Sequence, residues 1–131
     1  MTDSDHHLRE LVIHSCRWLQ VLGLNQGTSG NISVRCDPAA PERGFWLTPS
    51  SLDYDRMAAE DIVHVDLEGR CTGRARPSSE LPFHLAIMRE RPDAHAIIHT
   101  HSVHATAVSC LRHDIPALHY LIALFGGSTI R

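Results

Sequence analysis

The first part of the chain carries hydrophobic residues with the period of an α-helix. Within residues 4–22 they recur every three or four positions, at Leu8, Leu11, Val12, Trp18, Leu19 and Leu22. This spacing places them on one face of a helix. Ser4 is expected to cap the start, and Gly23 stands where helices commonly end. We therefore predict an amphipathic helix with one buried face.

Shorter hydrophobic segments after residue 30 are typical of β-strands, because they are bounded by glycine, proline and aspartate. We predict strands at 32–35, at 45–47, on either side of a turn at Glu68-Gly69 within 61–73, and at 94–100. Since the early strands follow one another through short turns, antiparallel hairpins are expected in the first half of the chain.

Two further helices are predicted. Residues 78–92 form one, with Pro82 tolerated in its first turn and Pro92 beyond its end. Residues 102–111 form the other, opened by Ser102, whereas the apolar segment 116–125 has no clear period. The pattern therefore indicates an α/β fold, with helices packed on a sheet.

Composition narrows the class of protein. The chain has 131 residues, 43% of them hydrophobic and 21% charged, which fits a single globular domain. Its net charge of -3 and its lack of a basic cluster argue against nucleic acid or an anionic membrane as the main partner. The hydrophobic runs are shorter than a membrane span, and the polar start does not resemble a secretory signal. The four cysteines form no C-x-x-C pair, so we expect reduced thiols and a cytoplasmic location.

The most distinctive count is eleven histidines. His99 lies in the predicted strand 94–100 and His101 directly follows it, so if the strand geometry continues both imidazoles should leave the same face of the sheet. Two rings about 6–7 Å apart along a strand can converge on one cation at about 2.0 Å per bond. An H-x-H pair alone is weak evidence, because two ligands do not complete a metal site.

Three loops combine small residues with hydroxyl groups. They are contained in "GLNQGTSGNISVR" (23–35), "LTPSSLDYD" (47–55) and "RPSSELPFH" (76–84). Backbone and hydroxyl donors of this kind, especially at the start of a helix, can bind a phosphate. Taken singly, each loop is more typical of an ordinary turn or a helix cap.

These motifs resemble the class II aldolase and adducin family. The matching segments are "GLNQGTSGNISVR", "LTPSS", "EDIVHVD", "PSSELPFHLAI", "RPDAHAIIHTHSVHATAVS" and "IPALHYLIALFGG", in that order over residues 20–131. The resemblance implies an α/β fold in three layers, with a central, mostly antiparallel sheet flanked by helices. It also implies a homotetramer with its sites between subunits.

The resemblance assigns roles residue by residue. His99 and His101 would be two of three histidine ligands to one Zn²⁺ per subunit. Glu80 would be the catalytic acid/base and could reach the same ion. Tyr120 would act in a neighbouring subunit's site, where it protonates the aldehyde oxygen. The substrate phosphate would be bound by the remaining set: Thr28, Asn31, Ser50, Ser78 and Ser79.

The implied activity is cleavage of a ketose 1-phosphate, such as L-fuculose 1-phosphate, to dihydroxyacetone phosphate and a small aldehyde. The reaction leaves an enediolate, which a metal ion stabilises without a Schiff base. The sequence contains no lysine, which excludes a Schiff-base aldolase. The alternatives are a sugar-phosphate epimerase or dehydratase of the same family, or a non-catalytic adducin-like module.

The sequence departs from the family pattern in two places. Relatives often have glycine at the position of Ser51, so the phosphate site is expected to be narrower on that side. The third zinc histidine of the family lies beyond residue 131, and neither His113 nor His119 stands in the corresponding motif. We therefore expect residues 1–131 to be a single class II aldolase/adducin domain that is truncated at its C-terminus.

Overall fold

The computed structural model describes residues 3–130, and its elements confirm the α/β class. In chain order they are α1 (Asp3–Val21), β1 (Asn31–Arg35), β2 (Phe45–Leu47), β3 (Val63–Val65), β4 (Cys71–Thr72), α2 (Leu81–Glu90), β5 (Ala96–His99) and α3 (Val103–Cys110). Short 3-10 segments lie at Pro41–Arg43, Ala59–Asp61 and Tyr120–Phe125.

The five strands form one antiparallel sheet in the order β4-β3-β2-β1-β5. Strand β1 therefore lies between β2 and the edge strand β5. Ser33 of β1 pairs with Leu47 on one side and Ile97 on the other. At the end of β1, Asn31 is the direct partner of His99, which brings their side chains to the same face.

Helix α1 covers one face of the sheet. Its buried residues Val12, Ile13, Cys16 and Leu19 share a cluster with Ile32, Tyr54, Met57 and Ile62. The helix ends as predicted, because Gly23 has a φ of 69° and the Leu24 amide donates to the Leu19 carbonyl at 2.9 Å, a hydrogen bond typical of a glycine-terminated helix. The expected cap at Ser4 is wrong, since Asp3 is already helical.

Helix α2 covers the opposite face, and this completes the three layers. The cluster on this side comprises Phe45, Leu47, Val63, Val65 and Met88. The core forms two clusters because successive side chains of a strand point to opposite faces of the sheet. Ile32 and its neighbour Ser33 therefore face opposite layers, and the Ser33 hydroxyl contacts His84 of α2 at 2.7 Å.

Buried Arg35 fixes the C-terminal end of α2. Its side chain is 1% exposed, and its guanidinium donates to the carbonyls of Met88 at 2.7 Å and Arg91 at 3.0 Å. A third hydrogen bond, from Nε, reaches the Ala94 carbonyl at 2.9 Å. A cation that donates to terminal carbonyls complements the negative end of the helix dipole.

Most of the helix and strand boundaries agree with those predicted from the sequence. The hairpin within 61–73 is present, with Gly69 at a φ of 88° in its turn. Helix α2 begins later than predicted, at Leu81, because Ser78 and Ser79 lie in the preceding turn. The strand predicted at 94–100 is shorter and ends at His99. The segment 116–125, for which no helix or strand was predicted, ends in the 3-10 turn Tyr120–Phe125.

The described residues up to His101 form one compact unit, and those from Ser102 onward form a second. The second unit contains α3, the 3-10 turn Tyr120–Phe125 and a β-bridge between Ile115 and Ile130. Over residues 3–130, each helix is too short or too polar to cross a bilayer.

Replacement of Arg35 by methionine should destabilise the first unit by about 3 kcal/mol, because buried carbonyls at the end of α2 lose their donors. Urea unfolding measures this change. Arg91→Met is the matched control: the Arg91 side chain is exposed and pairs with the exposed Asp93, so no measurable change is expected. Equal stabilities of the two variants would contradict the role assigned to Arg35.

Candidate metal and phosphate site

Glu80, His99 and His101 bring their ligand atoms together at one end of the sheet. These atoms all lie within 4.8 Å of one another. The His99 Nε2 atom is 3.2 Å from Glu80 Oε2 and 2.8 Å from His101 Nε2. The structure thus clusters the three residues for which the sequence predicted metal contacts.

The two histidines converge by a different route from the one predicted. His99 is the last residue of β5, whereas His101 lies two residues beyond the strand. The backbone N–H of His101 donates to the Asn25 side-chain oxygen at 3.0 Å. This contact holds the chain after β5, so the expectation that both rings leave one regular strand is corrected.

Glu80 occupies the N-cap of α2, and its side chain is 36% exposed. Its Oε2 atom accepts a hydrogen bond of 2.6 Å from Asn31 Nδ2. Because Asn31 is paired with His99 across the sheet, the start of α2 meets both strands at the same place. The carboxylate, the amide and the imidazole therefore come together through the register of β1 and β5.

The ligand set fits a divalent transition metal. Two imidazole nitrogens and one carboxylate oxygen are ligands that Zn²⁺ accepts, as do Mn²⁺, Fe²⁺ and Co²⁺. Two ligands on one tetrahedral zinc lie ~3.3 Å apart, given bonds of ~2.0 Å. The separations of 2.8 Å and 3.2 Å around His99 Nε2 are close to this value.

A cavity of about 310 Å³ lies beside this cluster. It is lined by all five residues predicted to bind phosphate, Thr28, Asn31, Ser50, Ser78 and Ser79, together with Ser29, Gly30, Pro49, Ser51, Glu80 and His101. Residues from three separate loops of the sequence therefore share one cavity. Their role in phosphate binding stays a prediction.

Backbone hydrogen bonds hold two of these loops together. Pro49 and Pro77 form an isolated antiparallel bridge. The Ser50 amide donates to the Arg76 carbonyl at 2.9 Å, and the Ser78 amide donates to the Thr48 carbonyl at 3.0 Å. The hydroxyls of Ser50 and Ser78 are therefore placed by main-chain pairing.

The cavity places neutral hydrogen-bond donors beside one carboxylate, that of Glu80. Among the described residues, none of those lining it is an arginine, and the chain has no lysine. The hydroxyls of Ser78 and Ser79 lie just before α2, at the end of the helix where the dipole favours negative charge. Ser51, which also lines the cavity, adopts a φ of 59°, a value that favours glycine.

Two residues that the sequence did not single out support the cavity from behind. Asn25 is 4% exposed and Tyr54 is 1% exposed. The Tyr54 hydroxyl donates to the Gly30 carbonyl, and a Cβ at Gly30 would collide with the Asn25 side chain. The adjacent glycine-containing loop gave a local signal for Asn25, whereas the contact of Tyr54 is visible only in the fold.

His84 is a third residue that the sequence reasoning missed. It is fully buried, with Nδ1 2.7 Å from the Ser33 hydroxyl and Nε2 in contact with Asn31 Oδ1. Burial lowers the pKa of His84 from 6.5 to about 4, although the nearby Glu80 carboxylate opposes this shift. His84 is therefore neutral at physiological pH.

Tyr120 belongs to the second unit, where its side chain is 79% exposed at the start of the 3-10 turn. Its predicted action in a neighbouring subunit stays a prediction.

Comparisons with known proteins agree with the motifs. The family model described as "Class II Aldolase and Adducin N-terminal domain" matches residues 10–131. L-fuculose phosphate aldolase of Escherichia coli K12 is 44% identical over 123 residues, which cover 94% of this chain and 55% of the relative. A 5-methylthioribulose-1-phosphate/5-deoxyribulose-1-phosphate aldolase of Rhodospirillum rubrum is also 44% identical, over 95% of this chain and 54% of that relative.

Solved structures give the same result. An L-fuculose 1-phosphate aldolase superposes with a TM-score of 0.81 and 38% identity, over 94% of this chain and 56% of that one. The enzyme of that name from Thermus thermophilus gives a TM-score of 0.69 and 28% identity, over 90% of this chain and 58% of that one. The chain thus spans about half the length of the relatives it matches.

The low pKa of His84 predicts a specific pH dependence of stability. Between pH 6.5 and about 4 the unfolded chain takes up a proton at this histidine and the folded chain does not, so folding becomes less favourable as the pH falls. In urea titrations, His84→Gln should lose less stability than the wild type over this window. His7→Gln, at an exposed position, is the control, and identical pH profiles of wild type and His84→Gln would refute the prediction.

Proposed function

The chain belongs to the class II aldolase and adducin family, and on that basis we propose that the complete protein is a metal-dependent aldolase. It cleaves a ketose 1-phosphate to dihydroxyacetone phosphate and a small aldehyde. The observation that carries the proposal is that Glu80 and His101 belong to both the ligand cluster and the lining of the cavity. A substrate with its phosphate in the cavity would therefore have its neighbouring carbons beside the ligands.

We propose Zn²⁺ as the ion, bound by His99 and His101 with Glu80 within reach, at one ion per subunit. The resemblance implies a third histidine ligand in addition to these. When bound, the ion supplies a Lewis acid for the negative charge that develops on the substrate oxygens.

Residues of this chain bind the substrate phosphate and transfer the protons. The cavity binds the phosphate through the hydroxyls of Thr28, Ser50, Ser78 and Ser79 and the amide of Asn31, which fixes the ketone relative to Glu80. When the carbon–carbon bond breaks, its electron pair is left on the dihydroxyacetone phosphate fragment, and Glu80 supplies the proton that this carbon takes up. Tyr120 of a neighbouring subunit exchanges a proton with the aldehyde oxygen.

The names of the relatives indicate a class of substrate and not a single compound. Those with 44% identity are named for L-fuculose phosphate and for 5-methylthioribulose 1-phosphate or 5-deoxyribulose 1-phosphate. We propose a ketose 1-phosphate of this group as substrate, and a cytoplasmic homotetramer as the active form. Epimerase or dehydratase activity, or an adducin-like role without catalysis, are the alternatives, and the presence of Glu80, His99 and His101 favours an enzyme.

Replacement of Glu80 by glutamine should lower kcat for aldol cleavage by roughly 10²–10⁴-fold, because the group that transfers the proton is lost. The assay measures dihydroxyacetone phosphate released by the complete protein from L-fuculose 1-phosphate and from 5-deoxyribulose 1-phosphate. Glu90→Gln, at the exposed far end of α2, should retain full activity. If Glu80→Gln turns over as fast as the wild type, the proposed mechanism is wrong.

The metal is tested by mass spectrometry of the dialysed protein. We expect about one zinc per subunit, and a loss of zinc in His99→Ala and in His101→Ala, because each removes a direct ligand. His95→Ala is the control, since this exposed residue lies just before β5. Zinc that remains stoichiometric in both ligand variants would place the ion elsewhere and contradict the proposed site.

A further inference from the structure

We propose that His84 and Ser33 are positioning residues that fix the orientation of the Asn31 amide, and through it the Glu80 carboxylate. The inference rests on the proposed function, in which Glu80 transfers a proton. Neither His84 nor Ser33 lines the cavity, so both would act only through Asn31.

The four residues meet because two structural periods coincide. Asn31 and Ser33 are two apart on β1 and therefore point to the same face of the sheet. Glu80 and His84 are four apart at the start of α2 and therefore share one side of the helix. With α2 on that face, the strand pair and the helix pair form one continuous row of hydrogen bonds.

The row has only one consistent assignment of donors and acceptors. An ionised carboxylate only accepts hydrogen bonds, so the amide must direct its Nδ2 at Glu80, at 2.6 Å. The Asn31 carbonyl oxygen then faces His84 Nε2, which must carry the hydrogen. A neutral imidazole has a single N–H, and hence Nδ1 accepts from the Ser33 hydroxyl at 2.7 Å.

Burial makes this assignment rigid. Ser33 and His84 are fully buried, and Asn31 is 5% exposed, so water does not compete for these groups. An inverted amide would present its oxygen to the Glu80 carboxylate and its NH2 group to the His84 N–H. Both contacts would be repulsive, and His84 therefore excludes that orientation.

The arrangement links the acid/base to the phosphate cavity. Asn31 lines the cavity and also donates to Glu80. An NH2 group has two hydrogens, so the second is available to a bound anion. Among the hydrogen bonds of the described residues, Asn31 donates to Oε2 and none involves Oε1, which leaves Oε1 as the oxygen that exchanges the proton.

The first test compares His84→Leu with His84→Gln in the complete protein. Leucine fills the space without a donor, whereas the glutamine amide can still donate to Asn31. We expect His84→Leu to lower kcat roughly 10–100-fold and to raise KM roughly tenfold, the effect of one lost hydrogen bond. His84→Gln should restore most of both values. Wild-type kinetics in His84→Leu, or equal losses in the two variants, would overturn the proposal, since equal losses indicate packing alone.

A second measurement needs no activity and no variant. Two-bond ¹⁵N–¹H correlation spectra of the wild-type protein report which nitrogen of His84 carries the hydrogen. The proposal requires the neutral form with the hydrogen on Nε2, and a hydrogen on Nδ1 or on both nitrogens would overturn it. If the wild type cleaves no ketose 1-phosphate, the proposed function fails, while this spectrum still decides the orientation of Asn31.

Discussion

The buried polar residues on one face of β1 determine where helix α2 packs on the sheet. Asn31, Ser33 and Arg35 alternate along the strand and all point towards α2, and each is at most 5% exposed. A buried polar group without a partner costs about 1–3 kcal/mol, so α2 must lie where it satisfies all three. Its start supplies Glu80 and His84, and its end supplies carbonyls to Arg35.

The hydrogen bonds between β1 and α2 that stabilise the fold also position the residues of the candidate site. The packing that satisfies β1 also places Glu80 at the start of α2, next to His99, which the sheet register sets opposite Asn31. The loops with Ser50 and Ser78 are then joined by main-chain hydrogen bonds at the same end. The cluster of ligands and the hydroxyl-lined cavity are thus consequences of one strand–helix contact.

Much of the fold and of the candidate site was predictable from the sequence. Period and turn residues predicted α1 and the hairpins, and the family resemblance implied the mostly antiparallel sheet. The resemblance also pointed to Thr28, Ser50 and Ser78, which do share one cavity. His84 was missed because a histidine within a helical, mostly apolar segment carries no local sign of its partners. The position of His101 was misjudged because a side chain distant in sequence, that of Asn25, and not strand geometry, holds it.

One metal ion and one phosphate are expected to occupy adjacent parts of this site. The most direct measurement is a crystal structure of the complete protein with zinc and dihydroxyacetone phosphate, with anomalous data collected at the zinc edge. We expect one zinc peak at about 2.0–2.1 Å from a nitrogen of His99 and of His101, with the phosphate among Thr28, Asn31, Ser50, Ser78 and Ser79. Zinc bound away from both histidines, or phosphate bound outside the cavity, would contradict it.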